Sequence, residues 1–245
     1  MKFLAQLGAY LVFVRKVFTK PEKWRLFFKS TLTELDKLGF NSVSLVVIIS
    51  FFIGAALTLQ TAYNMNNPLM PRYLIGFLTR ETLLLEFSST VISLILVGKI
   101  GSSIASEIGT MKITEQIEAL ETMGVASESY LIAPKLAATL FINPVLYIFS
   151  VFIGIIGGLV TGVLSGVVNF SEFVSGVQFM FNDYYVVYSV IKTLFFAFIF
   201  TTIPAYYAYN VKGGSLEVGQ ASTKSVVHSS IAILATNLIL TKLLL

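Results

Sequence analysis

Along this chain long apolar runs alternate with shorter polar ones, and the apolar runs set the architecture. Five of them, at 43–63, 83–105, 134–164, 185–210 and 226–244, reach the ~20 residues a helix needs to cross a bilayer. Nothing in them alternates as barrel strands do, so each is expected as a helix that satisfies its own backbone hydrogen bonds. The third run is long enough to tilt or break. It holds Pro144, followed by Gly154, Gly157 and Gly158, and Pro204 lies near the end of the fourth run. Either proline removes a helix hydrogen bond and can bend its helix.

Before the first run the periodicity changes. Phe3, Leu7, Tyr10, Val14 and Phe18 recur at three- and four-residue steps and give one apolar helical face, with Arg15, Lys16, Lys20 and Lys23 clustered behind it. After Pro21, a second amphipathic stretch carries Trp24, Phe27, Phe28, Leu32 and Leu35. Basic, aromatic-rich helices of this kind lie in the membrane interface. A signal peptide fits less well, because no small-residue cleavage site follows the short apolar run and basic residues continue beyond it. The pattern divides the chain into interfacial helices at 1–42 and a five-span domain at 43–245.

One polar insert has a helical pattern of its own. In GTMKITEQIEALETMG (109–124), Ile113, Ile117, Leu120 and Gly124 fall on one face, while Glu115, Glu118, Glu121 and Thr122 lie elsewhere. Gly124 is well placed to stop the helix in the left-handed conformation. A helix of these 16 residues would be about 24 Å long, too short and too charged to span. It is expected as a solvated connector or as a cytoplasmic helix presented to a partner.

Composition fixes the class. The 245 residues are 56% apolar and 12% charged, about half the charge of a soluble domain, which reads as an integral membrane protein. With no cysteine and a single histidine, His228, neither a metal site nor a thiol nucleophile is expected. The net charge of +4 calls for no nucleic acid. Residues 1–42 hold eight of the seventeen basic side chains, 165–184 hold none, and the first outer loop holds only Arg72 and Arg80. The positive-inside rule then puts the N-terminus in the cytoplasm. Five spans put the C-terminus outside, with 106–133 and 211–225 on the cytoplasmic side.

Polar residues within the spans are costly there and face protein or water. Glu86 and Lys99, at opposite ends of the second span, are thirteen residues or about 20 Å apart along a helix and cannot pair. Either they line a lipid headgroup path, or Glu86 is bonded between helices and Lys99 reaches to the cytoplasmic surface. His228, Ser229 and Ser230 are expected to make interhelical hydrogen bonds. A serine hydrolase would need a positioned nucleophile and orienter, and no G-x-S-x-G elbow occurs. No G-x-x-x-x-G-K-[ST] loop occurs either, so any ATP-derived energy must be borrowed. Lys192, in the fourth span, has no evident role.

Several stretches together resemble the MlaE family, permease subunits of ABC transporters that move phospholipids between bacterial membranes. They are GKIGSSIASEIGTMKITEQIEALETMG (98–124), YLIAPKLAATLFINPVL (130–146) and GIIGG (154–158). FFIGAALTLQ (51–60) is similar to the family's first span and STKSVVHSSIAIL (222–234) to its last, so the resemblance covers essentially the whole chain. It implies an all-α integral membrane protein with N-terminal interfacial helices, five transmembrane helices and one cytoplasmic coupling helix at about 107–124. That helix would fit a groove on a separate ATPase. By position, Glu107, Gly109, Thr110, Met111, Thr114, Glu115, Gln116, Ala119, Leu120, Met123 and Gly124 would carry the contact, with apolar anchors for affinity and charges at the rim for register.

The resemblance also implies a homodimer whose first and last spans line a lipid cavity, with Phe51, Leu57, Leu59 and Gln60 as candidates along it; Glu86 and Lys99 would join that path on the headgroup reading of their charges. Two cytoplasmic ABC ATPase subunits would hold the ATP and Mg, and a periplasmic MCE-domain lipid-binding protein would complete the assembly. This chain itself is expected to be non-catalytic and to bind no cofactor or metal, and to reside in the bacterial inner membrane, a transit peptide being absent. It departs from the family at Lys99 and Lys135, where Arg is frequent and its planar fork is lost. Of R-E-L-G-P only Glu86 survives in Leu85-Glu86-Phe87-Ser88-Ser89, and Val125-Ala126-Ser127-Glu128-Ser129 replaces an acidic-proline turn. Two other classes share parts of the pattern: a membrane scaffold that recruits a cytoplasmic protein, and an ion-coupled secondary transporter, whose expected internal repeats are not evident.

Overall fold

The five apolar runs all become helices. The computed structural model describes residues 2–19, 24–65 and 70–245, and no strand occurs among them. Five helices among the described residues are long and apolar enough to cross a membrane: Trp24–Asn64, Tyr73–Ile113, Ser127–Leu164, Asp183–Tyr209 and Ser215–Leu244. Lys20, Pro21 and Lys23 lie outside the described residues, as does the side chain of Phe3.

α1 (Lys2–Val17) ends before Phe18, whereas α2 (Trp24–Glu34) runs through a π-helical turn at Leu35–Phe40 straight into α3 (Asn41–Asn64). The division expected at 42/43 therefore falls inside one continuous helix. No proline interrupts this stretch, and the residues bounding the turn, Glu34 and Asn41, keep right-handed helical angles. The second span is also longer than expected. It joins α4 (Tyr73–Thr82), a π-helical stretch at Leu83–Val91, α5 (Ile92–Leu96), a second at Val97–Gly101 and α6 (Ser102–Ile113). Such wide turns are rare and frequent at functional sites; these two hold Glu86 and Lys99. α7 (Gln116–Thr122) is short, and α8 (Ser127–Leu164) continues through Pro134 and Pro144. α9 (Phe170–Gln178), α10 (Asp183–Tyr209, containing Pro204) and α11 (Ser215–Leu244) complete the chain.

The chain packs as two compact units. One comprises Met1–Asn41, Leu94–Ile142 and Phe195–Ile239; the other comprises Ser42–Ser93, Asn143–Leu194 and Leu240–Leu245. In the first, α1 turns Phe13 and Val17 inward, and the Phe13 ring meets Tyr206 and Tyr209 of α10. Tyr10 shares a 2.6 Å hydrogen bond with Thr202, and Lys16 pairs with Glu128 at 2.8 Å. That hydrogen bond to Glu128 holds the Lys16 ammonium above its ordinary pKa. The packed face is thus rotated from the expected one, and Leu7, Leu11 and Phe18 form a second, exposed apolar face. A helix apolar on both sides suits one bound to protein on one flank and to lipid on the other.

In the second unit, α3 and α8 meet backbone to backbone. A Cβ on Gly54 would collide with the carbonyl of Gly154, and one on Gly157 with the carbonyl of Phe51. Small residues allow this approach between membrane helices, and Ser50 Oγ donates to Ser150 Oγ across it at 2.8 Å. α9 forms within the 165–184 stretch, for which the sequence pattern predicts no helix. It starts with a capping box in which Glu172 accepts the Asn169 backbone N–H at 3.1 Å. Its Phe173 is buried beside Ala62, Ile75 and Val168.

Candidate functional site

The polar insert is not the single 16-residue helix its periodicity suggests. α6 ends at Ile113, Glu115 adopts left-handed angles (φ 60°, ψ 15°), and α7 sets off as a separate helix. A left-handed non-glycine residue costs roughly 1–2 kcal/mol and breaks the i→i−4 ladder, so the insert is a corner. Local bonds hold it. Lys112 pairs with Glu118 across the corner, Gln116 Nε2 donates to Thr114 Oγ1 at 3.0 Å, and Ala119 N–H donates to the Glu115 carbonyl at 3.0 Å. The bond from Lys112 holds the Glu118 carboxyl below the usual carboxylate range.

The expected stop at Gly124 is there, with φ 79°. Gly124 N–H donates to Glu121 and Val125 N–H to Leu120, each at 3.0 Å, the paired closure of a helix ended by glycine. Tyr209 OH donates to Glu121 Oε1 at 2.7 Å and Ser127 Oγ donates to the same oxygen at 3.0 Å, tying the end of α7 to α10 and α8.

This geometry sorts the expected contact residues. Ile117 is fully buried and Leu120 and Met111 half-buried, so the apolar face packs on the protein itself. Thr110, Thr114, Glu115, Gln116, Ala119, Met123 and Gly124 are exposed, with Met123 at 69% the large apolar side chain left open. Glu107 and Gly109 are engaged within the chain. Glu107 accepts Lys37 at 2.6 Å and Lys135 at 2.9 Å, and Lys135, nearly buried, also reaches Glu34 at 2.6 Å. A Cβ on Gly109 would press on Val218. These residues root the corner, and the exposed ones form its free surface.

In the second unit, the unassigned Lys192 proves to be the partner of Glu86. Its ammonium is fully buried and donates to Glu86 Oε1 at 3.1 Å, to the Leu85 carbonyl at 3.0 Å and to Tyr188 OH at 3.1 Å. Thr241 Oγ1 and Thr90 Oγ1 each donate to the Glu86 carboxylate at 3.3 Å. Glu86 keeps 40% of its side chain exposed. Lys99 donates to the Asn41 carbonyl. Of the other residues expected along a lipid path, Phe51 and Leu57 are half-buried, while Leu59 and Gln60 lie on an exposed stripe of α3 with Ile48, Phe52 and Tyr63.

The serine and histidine cluster departs from expectation. His228 Nδ1 bonds the Lys224 carbonyl at 2.7 Å and Ser230 Oγ donates to the Val226 carbonyl at 2.9 Å, both within α11. Hydroxyls on a helix reach the carbonyl four residues back more readily than a neighbouring helix. The interhelical contact is the His228 ring stacked on Tyr207 at 5.2 Å, and Ser229 Oγ is buried without a hydrogen-bond partner. Among the described residues no cluster of His, Asp or Glu could hold a metal ion.

Five long apolar helices, a buried ion pair and a folded corner open on one face define a multi-pass helical membrane protein. Residues 31–243 match the family described as permease MlaE, and the chain belongs to that family. It is 33% identical over 241 residues to a probable ABC transporter permease protein of Rickettsia bellii, covering 98% of this chain and 93% of the relative. It is 34% identical over 221 residues to the intermembrane phospholipid transport system permease protein MlaE of Haemophilus influenzae, covering 90% and 84%. A more distant relative, at 26% over 219 residues, is the chloroplastic protein trigalactosyldiacylglycerol 1 of Arabidopsis thaliana, covering 89% of this chain and 62% of the relative.

Proposed function

We propose that this chain is the permease subunit of an ATP-driven transporter that moves phospholipids between the inner and outer membranes of a bacterium. It is coupled to a separate ATPase through the corner at 107–124. The observation that carries the reading is the split within that corner. Glu107, Gly109 and Ile117 anchor it to its own unit, while Glu115, Gln116, Ala119 and Met123 are exposed on its surface. A short helix fixed at its root and open on one face is suited to seat in a groove and to carry rigid-body motion. The phospholipid cargo follows the name of the Haemophilus relative.

The chain contributes no chemistry in this scheme; ATP and Mg belong to two cytoplasmic ATPase subunits. It works as a homodimer in the inner membrane, N-terminus cytoplasmic and C-terminus periplasmic, with a periplasmic MCE-domain protein receiving or delivering lipid. α11 is weakly packed, with Val227, Ile231, Leu234 and Leu238 exposed, and so leaves a broad apolar face for the second copy and for lipid. Leu59, Gln60 and Glu86 lie along the lipid path.

Ala119→Arg with Met123→Asp tests the coupling, because both side chains are exposed and the fold has no need of them. The ATPase should no longer co-purify, and lipid-stimulated hydrolysis should fall at least about tenfold, as when an interface loses a central anchor. The variant should remain inserted and dimeric. Unchanged recovery and hydrolysis would remove the corner from the coupling path.

A further inference from the structure

We infer that the tip formed by Phe179, Met180 and Phe181 is a membrane-inserting anchor, pinned by the buried Arg80 and seated in the interfacial layer of the bilayer. On the proposed orientation this is the leaflet facing away from the ATPase; the inference itself needs only the multi-pass membrane fold. Three consecutive large apolar side chains stand open here, Phe179 at 40%, Met180 at 74% and Phe181 at 51% exposure. Met180 has φ 46°, a left-handed angle that non-glycine residues adopt where the surroundings impose it.

Arg80 imposes it. Its side chain is 1% exposed, and its guanidinium donates to the Val177 carbonyl at 2.7 Å and the Phe179 carbonyl at 2.9 Å. The same group pairs with Glu81 and lies over the rings of Phe77 (5.1 Å) and Phe181 (5.4 Å). The Phe179 ring meets Tyr73 and Phe77. A planar fork that holds two carbonyls and two rings fixes a short loop in a way that a lysine could not. No catalytic or lipid-path role has used this arginine.

The occupant follows from position. The tip ends two residues before Asp183, the first residue of a spanning helix, and so stands where a span emerges from the bilayer. Tyr184 and Tyr185 follow at once, and Tyr184 OH donates to the Leu244 carbonyl at the end of α11 at 2.8 Å. Tyrosines at the ends of spans mark the water–lipid boundary. Residues 165–184 carry no Lys or Arg to hold the tip at an acidic protein surface. An apolar tip beside that aromatic belt fits a lipid surface.

Trp24 is the chain's one tryptophan, so Trp24→Phe with Met180→Trp gives a single fluorophore at the tip. The full-length chain is placed in phosphatidylcholine nanodiscs with acyl chains brominated about 5–10 Å below the headgroups, the depth of interfacial side chains. We expect at least about twofold quenching relative to unbrominated lipid, with little quenching by aqueous acrylamide. Adding Arg80→Lys should reverse the order, raising acrylamide access and lowering bromolipid quenching. If that variant fails to fold, Phe181→Trp with Arg80 intact gives the second reading of depth. Strong acrylamide quenching without bromolipid quenching would overturn the anchor. So would protection that appears only when the purified complex includes a partner protein, which would make the occupant protein and not lipid.

Discussion

At the residue scale, the unusual commitment is the Lys192 ammonium, wholly buried in the second unit. Removing one partner of a fully buried pair costs about 3–5 kcal/mol, because the other charge is left uncompensated. Glu86 is 40% exposed, so water screens part of that loss, and we expect about 1–3 kcal/mol for Glu86→Gln. The double variant Glu86→Gln with Lys192→Met removes both the pair and the stranded charge, and should melt closer to the native chain than Glu86→Gln alone. Thermal midpoints in detergent micelles check this; a Glu86→Gln midpoint equal to native would mean that Leu85 and Tyr188 satisfy the ammonium unaided. The sequence displays both charges inside apolar runs, where charges are rare and so conspicuous. It does not display that they meet, because their pairing spans 106 residues and depends on how the helices rotate. The same limit hid Arg80, whose partners lie 97 and 99 residues away.

At the element scale, the existence of the spanning helices was legible and their boundaries were not. Apolar length reveals a span, but the helices run on beyond their apolar parts: α2 joins α3 through a π-helical turn, and α4 and α6 extend the second span at either end. The break at Glu115 left no mark, since glutamate is an ordinary helix former and its positive φ is set by the fold. α9 was missed, although Asn169-x-x-Glu172 is a capping signature that could have marked its start. The GIIGG stretch was readable, and its meaning is close helix contact. Gly157→Ala places a methyl against the Phe51 carbonyl, and such overpacking costs about 1–3 kcal/mol. Gly98→Ala, within the Val97–Gly101 turn, meets nothing within 4 Å and should be neutral or slightly stabilising. Comparing the two melting midpoints separates contact from helix propensity, because the same chemical change is made in both. Equal shifts would show that α3 and α8 part at no cost.

At the scale of the whole molecule, the proposed five-span arrangement makes a prediction that no local contact can replace: with an odd number of crossings, the two chain ends should lie on opposite sides of the membrane. Charge supplies the sign. The basic N-terminal segment favours the cytoplasm, and the Lys- and Arg-free stretch at 165–184 favours the far side. On that proposal the corner at 107–124 and α9 should be reached from opposite sides, because one span, α8, lies between them in the chain. Because the native chain has no cysteine, single cysteines can be introduced on a silent background. Ser175→Cys on α9 and Leu245→Cys at the C-terminus are both exposed positions and should react with a membrane-impermeant maleimide in spheroplasts. Ala119→Cys on α7 and Lys212→Cys between α10 and α11, equally exposed, should react only after permeabilisation. Labelling of positions 119 and 175 from the same side would require α8 to turn back within the membrane, and the corner could not then meet a cytoplasmic ATPase. Labelling of all four in the reverse sense would keep five crossings and overturn the charge argument alone.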